Sequence, residues 1–134
     1  MKVSRRATFN AAHRLFRADW TDEQNAEVFG KCSNPNYHGH NYVLEVWLDG
    51  DINPETGYVI DLKTVKDVIN SEISDRFDHR NLNLDCPEFA ELNPTAENIA
   101  FVSWNLLRAK LPNHLALTIK LWETENNCVE YSGN

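Results

Sequence analysis

The chain has 134 residues, 42% of them apolar, with 13 basic and 20 acidic side chains and a net charge of −7. That length suits one domain, residues 1–134, with its own core, and that apolar fraction excludes a disordered chain. The acidic balance argues against a general nucleic-acid or anionic-membrane binder. An anionic substrate would need a locally basic site, for which Arg14, Lys31 and Arg80 are at hand.

Residues 2–13 read as a first strand. Its odd positions, Val3, Arg5, Ala7, Phe9, Ala11 and His13, are apolar except for Arg5 and end in a histidine. The N-terminal Met1-Lys2-Val3-Ser4-Arg5-Arg6 has no apolar signal core. Residues 14–37 form a long polar connection, too long for a simple hairpin loop and therefore a place to look for function. Cys32 lies within it. A second strand over 38–49 opens on His38-Gly39-His40 and alternates Tyr42, Leu44, Val46 and Leu48 on one face. A turn follows at 51–57, and then Asp61 as N-cap of a first helix with Leu62, Val65, Val68, Ile69, Ile73 and Phe77 at helical spacing. An Asn- and Asp-rich loop, about 78–94, begins with Asp78-His79. Asn93-Pro94-Thr95 opens a second helix with Ala96, Ile99, Ala100, Leu106 and Leu107 as its stripe. A third strand spans about 114–124 and ends an apolar face in Glu123. A short fourth strand covers about 127–131.

The order ββααββ predicts an α+β fold, an antiparallel four-stranded sheet with two helices on one face. Nothing plainly protects the two edges of such a sheet, and closure of several subunits' sheets into a barrel would remove them. No run approaches transmembrane length. Three cysteines without regular spacing argue against a disulfide framework, and the cytoplasm is the simplest compartment.

Residues two apart on a strand share a face, so His38 and His40 present paired imidazoles, a start for a metal site with zinc the common guest. If no bulge intervenes, His13 lies on the same apolar face of a strand ~4.8 Å away. Three protein ligands with an open position are the pattern of a catalytic zinc. Cys32 is either a small buried hydrophobe, a fourth ligand, or a thiolate base or nucleophile. Asp78-His79 is either a histidine favouring a helix C-terminus or a carboxylate-oriented acid/base. Glu123 is either exposed at a strand end or an acceptor for a ligand with paired N–H donors. Cys86, Cys128 and His114 belong to no comparable constellation.

Five segments then combine: Phe9-Asn10-Ala11-Ala12-His13-Arg14-Leu15, Gly30-Lys31-Cys32-Ser33-Asn34-Pro35-Asn36-Tyr37-His38-Gly39-His40-Asn41-Tyr42, Phe77-Asp78-His79-Arg80-Asn81-Leu82-Asn83, Asn93-Pro94-Thr95-Ala96-Glu97-Asn98 and Glu123-Thr124-Glu125-Asn126-Asn127. Spread over nearly the whole chain, they resemble the 6-pyruvoyltetrahydropterin synthase and 6-carboxytetrahydropterin synthase family. The resemblance implies a tunnelling fold in which trimers close a barrel and two trimers make a homohexamer. It implies Zn2+ held by His13, His38 and His40, Cys32 as proton-abstracting base, and Asp78 with His79 as an acid/base unit, contributed by a neighbouring subunit. It implies Glu123 as anchor of the pterin ring, assisted by backbone near Thr95. The implied substrate is 7,8-dihydroneopterin triphosphate, converted by a lyase that eliminates triphosphate. Five residues separate Cys32 from His38, an interval that looks like the pyruvoyl enzymes, whereas Tyr58-Val59-Ile60-Asp61-Leu62 looks more like the carboxy branch of queuosine-type deazapurine synthesis. A non-catalytic zinc-binding protein, with Cys32 closing a four-ligand site, is the alternative from another class.

Overall fold

The computed structural model describes residues 1–134. In chain order the elements are β1 (Lys2–His13), α1 (Asp22–Phe29), β2 (His38–Asp49), α2 (Leu62–Ile69), α3 (Asp75–Phe77), β3 (Arg80–Asn81), α4 (Leu82–Asp85), α5 (Ala96–Arg108), β4 (Ala116–Thr124) and β5 (Asn127–Tyr131). The three longer strands, the short strand at 127–131 and the two helical runs anticipated from the pattern are all present. The polar connection is not bare loop. It holds α1, opened by a capping box in which Thr21 and Gln24 exchange side-chain and backbone hydrogen bonds. The strongly polar run Asp22-Glu23-Gln24-Asn25 hides this helix from an apolar-periodicity reading, but the Thr21-x-x-Gln24 spacing announces it.

The sheet corrects one expectation. It has five strands in the order β3-β1-β2-β4-β5, and it is mixed, not four-stranded and antiparallel. The extra strand is short: Arg80 and Asn81 run parallel to Ala11 and Ala12. The loop after α3 is drawn along the β1 edge because Asn10 is bonded there twice. Its N–H donates to Asp78 Oδ1 at 2.8 Å, and its carbonyl accepts from the His79 N–H at 2.6 Å. Backbone groups on an edge seek partners, and this loop supplies them at one end of β1.

A second difference lies in the first long helix. A π turn, Asn70–Ser74, separates α2 from α3. The apolar stripe Val65, Ile69, Ile73, Phe77 steps by four residues each time. At 3.6 residues per turn such a stripe drifts about 40° per step around an ideal α-helix. One wider turn takes up that drift, and all four side chains stay buried.

These residues, with Ile99, Ala100 and Leu107 of α5, pack on the sheet face formed by Phe9, Ala11, Tyr42, Leu44, Val46, Leu48, Leu117, Ile119 and Leu121. The helices therefore cover one face of the sheet only. Leu44 sits on the central strand with no exposed surface. Leu44→Ala is expected to cost about 2–5 kcal/mol of unfolding free energy, read by urea titration at fixed protein concentration.

Candidate active site

β1 and β2 pair over their full length without a bulge, which sets His13 opposite His38 and Ala11 opposite His40. Cross-strand partners share a face, so three imidazoles converge at the end of the apolar face. Their ring centroids are 4.6, 4.9 and 5.0 Å apart. One ring nitrogen from each lies within 4.8 Å of the others. Gly39 faces the other way, where an added Cβ would meet only the Ala11 carbonyl oxygen at 3.6 Å.

The electronic state of the cluster follows from its surroundings. His13 is fully buried, and its Nδ1 stands 2.8 Å from the Pro94 carbonyl oxygen. A carbonyl only accepts, so Nδ1 carries the proton and Nε2 keeps its lone pair. The Tyr42 hydroxyl lies 3.3 Å from the same Nδ1. Burial, with the neighbouring His38 and His40, holds the His13 pKa down at about 4 against the raising effect of the Pro94 bond. Burial and then His40 lower His38 as well. Neutral imidazole is the form that ligates a metal.

His13 Nε2, both ring nitrogens of His38 and His40 Nε2 are buried and have no hydrogen-bond partner. Orphaned buried acceptors are costly, about 1–3 kcal/mol each. A divalent ion bound through nitrogen at about 2.0–2.1 Å would satisfy three of them at once, so the donor set fits zinc. The Pro94 carbonyl is then the outer partner that orients a ligating imidazole.

Glu123 is not the exposed strand-end residue that one reading allowed. Its side chain is 19% exposed, with Oε2 3.8 Å from His13 Nε2 and Oε1 3.9 Å from His40 Nε2. It lines a cleft of about 460 Å³ together with Leu15, Thr95 and Ala96. Thr95 caps α5, its hydroxyl accepting from the Asn98 N–H at 3.2 Å, while its own N–H donates to the Asn93 carbonyl. Burial, followed by Glu123 and Cys32, pushes the Tyr42 hydroxyl pKa up. The Cys32 thiol is half-buried and lies outside the three-histidine donor set. Arg14 and Lys31 line a separate cleft beside it with Ser33 and Asn34.

Asp78 and His79 do touch each other. His79 Nδ1 is 2.9 Å from Asp78 Oδ2. The Asn10 N–H and then the imidazole hold the Asp78 carboxyl below the usual carboxylate range. His79 has a left-handed backbone, φ 59°, as does Tyr37 ahead of His38 at 66°. Each costs roughly 1–2 kcal/mol for a non-glycine residue. The pair stands on the outer edge of β1 with the imidazole 81% exposed, and makes no hydrogen bond or ion pair with the histidine cluster of its own chain. Arg80 serves β3 beside it.

Sequence reasoning passed over Tyr42 and the Pro94 carbonyl. Tyr42 could have been singled out, since it shares the strand parity of His38 and His40. A backbone carbonyl gives no side-chain signal. Cys86 is buried, donates to the Arg76 carbonyl, and has its thiol pushed up to about 11 by burial.

The chain is similar to known proteins along nearly its whole length. The family profile of 6-pyruvoyl tetrahydropterin synthase matches residues 2–134. A 6-pyruvoyl tetrahydrobiopterin synthase of Pongo abelii is 46% identical over 132 residues, covering 98% of this chain and 91% of the relative. A 6-carboxy-5,6,7,8-tetrahydropterin synthase of Rickettsia conorii is 34% identical over 148 residues, covering 97% and 99%. The solved structure of Caenorhabditis elegans 6-pyruvoyl tetrahydropterin synthase superposes with a TM-score of 0.94 at 38% identity, covering 100% of this chain and 96% of the other.

The pH dependence of the metal-stripped protein has a definite sign. The folded pKa of His13, about 4, lies below the 6.5 of a free imidazole. Its neutral form is therefore favoured by folding, and stability is full above pH 6.5 and falls as pH drops toward 4. The loss should be on the order of 3 kcal/mol at most. Urea unfolding in chelator at pH 7 and 4.5 measures it. His13→Asn keeps a donor for Pro94 but does not titrate, and should flatten part of that slope.

Proposed function

This chain belongs to the 6-pyruvoyl tetrahydropterin synthase family, and we propose that it is a zinc-dependent lyase converting 7,8-dihydroneopterin triphosphate to 6-pyruvoyltetrahydropterin and free triphosphate. The observation that carries this is the trio of converging imidazoles whose buried ring nitrogens have no hydrogen-bond partner, beside the Glu123 carboxylate. His13, His38 and His40 would hold the zinc. When bound, the ion supplies a Lewis acid that acidifies the hydroxyls of the substrate side chain.

The chain's own groups do the rest. The Glu123 carboxylate accepts hydrogen bonds from the amino and ring N–H groups of the pterin, with the backbone around Thr95 closing the same cleft. Such charge-assisted bonds contribute about 1.5–3 kcal/mol and fix the ring's orientation. Cys32, as thiolate, removes a proton from the side chain. His79, oriented by Asp78, handles the second proton. Arg14 and Lys31 give the triphosphate a cationic cleft in an otherwise acidic chain. Proton shifts within the side chain balance the loss of triphosphate, so no external oxidant or reductant is required.

The pyruvoyl product is favoured over the carboxy product, which loses side-chain carbons, by two observations. Identity is 46% to the pyruvoyl relative and 34% to the carboxy one. The five residues between Cys32 and His38 also match the pyruvoyl pattern. The structural-zinc reading needs a fourth ligand, and the clustered donors are three histidines.

The working unit is proposed to be a cytoplasmic homohexamer, a dimer of trimers. No helix is long and apolar enough to cross a membrane. The exposed Asp78–His79 pair, away from its own chain's histidines, suits a neighbour's site.

Mass spectrometry of the product formed from 7,8-dihydroneopterin triphosphate tests the assignment. The pyruvoyl pterin and triphosphate are expected; a carboxy pterin would move the chain to the other branch. Cys32→Ala should retain zinc and lose turnover by about 10²–10⁴-fold. An emptied metal site in that variant would instead favour the structural role.

A mixing experiment tests the shared site. Cys32→Ala and His79→Ala subunits, each inactive, are denatured together and refolded. Some sites should then combine an intact Cys32 from one chain with an intact His79 from another. No activity in verified mixed oligomers would put both groups of each site in one subunit.

A further inference from the structure

Tyr42 is fully buried, and most of its contacts are made by its ring. The ring stacks on Phe9 at 4.9 Å with 12° between the planes. It also stands edge-on to His40 and His13, at 5.6 and 6.1 Å. A phenylalanine would keep all three contacts. The hydroxyl is the part that needs a reason, because a buried polar group left partly unanswered is costly.

The one hydrogen-bond partner of that hydroxyl is His13 Nδ1, at 3.3 Å. This nitrogen carries a proton, since the Pro94 carbonyl oxygen 2.8 Å away only accepts. A protonated ring nitrogen cannot accept in turn. The Tyr42 oxygen therefore takes the longer arm of a shared N–H bond. Its own proton finds no acceptor in the chain. The hydroxyl gains little for itself, and what it supplies is a second acceptor for His13.

The two acceptors come from different parts of the fold. Pro94 precedes Thr95, the N-cap of α5. Tyr42 lies on β2, the strand that carries His38 and His40. A single acceptor leaves an imidazole free to swing about the bond that joins it to the backbone. A second one, on the strand of the other two histidines, restrains that swing and ties the β1 ring to its partners.

We propose that Tyr42 is a positioning residue of the three-histidine centre, its hydroxyl holding His13, together with Pro94, in the tautomer and orientation that leave Nε2 free beside His38 and His40. It acts at Nδ1, the nitrogen that is not left for a metal. This rests on the zinc reading given above and adds a residue that orders the ligand set.

Tyr42→Phe in the full-length chain tests it, with zinc affinity read by competition against a chromophoric chelator. Affinity should fall about 10–100-fold, the usual cost of losing an outer partner of a ligating imidazole. Phe9→Leu loosens the same stack and keeps the hydroxyl. It should lower the urea midpoint of the metal-stripped protein and leave zinc affinity within about threefold, below the range expected for a lost outer partner. Unchanged affinity in Tyr42→Phe overturns the proposal, and so does an equal loss in both variants, which would assign the effect to packing. A second measurement needs no variant. Nitrogen-15 shifts of the His13 ring in the metal-free protein should place the ring proton on Nδ1. A proton on Nε2 would make Tyr42 a donor to His13 and overturn the proposal as well. Unaltered protein that takes up no zinc would overturn the zinc reading itself along with this role.

Discussion

The rest of the structure depends on the unbroken pairing of β1 with β2. Twelve residues of each strand match without a slip, from Lys2 opposite Asp49 to His13 opposite His38. Side chains alternate faces with period two, so one bulge before His13 would turn its imidazole to the other side of the sheet. The register is itself held by burial, since Phe9 and Ala11 on one strand and Tyr42, Leu44, Val46 and Leu48 on the other all have to face the helices. Phe9 and Tyr42 stack at 4.9 Å directly below the histidines. The hydrophobic face thus aims the polar site at its end.

Burying ring nitrogens of three imidazoles is unfavourable unless something answers for them. The structure answers for one of them from an unexpected direction. The Pro94 carbonyl that takes the His13 proton belongs to the residue before Thr95, the N-cap of α5. The helix that closes the core with Ile99 and Leu107 therefore also fixes the tautomer of His13. The same start of α5 borders the cleft that Glu123 lines, so core packing, imidazole orientation and cleft shape are set by one chain segment.

The sequence made legible whatever depends on parity and spacing. The histidine trio, the long strands, and the helix caps at Asp61 and Thr95 all follow from local pattern. The Cys32, Asp78 and Glu123 assignments leaned on family resemblance, because no periodicity relates those residues to the histidines. Features decided by tertiary demand were not legible. β3 exists because Asn10 leaves an edge N–H and C=O to be satisfied, and two residues of a loop pattern carry no strand signal. The π turn exists because a four-residue apolar repeat has to stay on one face. α1 escaped notice because its stability lies in its capping box and not in an apolar stripe; its one buried residue is Asn25, bonded to the backbone of Arg17 and Thr21.

β1 meets three different surroundings because a strand has three kinds of surface. Its helix-facing side delivers His13 to the buried cluster. Its open edge, through Asn10, holds Asp78 and the left-handed His79 in contact. Its opposite face presents Arg6 across from Glu45 of β2. A strand fixed on one side by a packed core is rigid on all three, since period-two geometry leaves no independent freedom to the alternate residues. That rigidity explains how a histidine at positive φ is kept at an otherwise exposed edge. The strain at His79 is offset by its N–H bond to the Asn10 carbonyl and by the Asn10 N–H bond to the adjoining Asp78 carboxylate, and the position of Asn10 is set by the same register that seats His13. The histidine cluster and the Asp78–His79 contact are thereby held by one element.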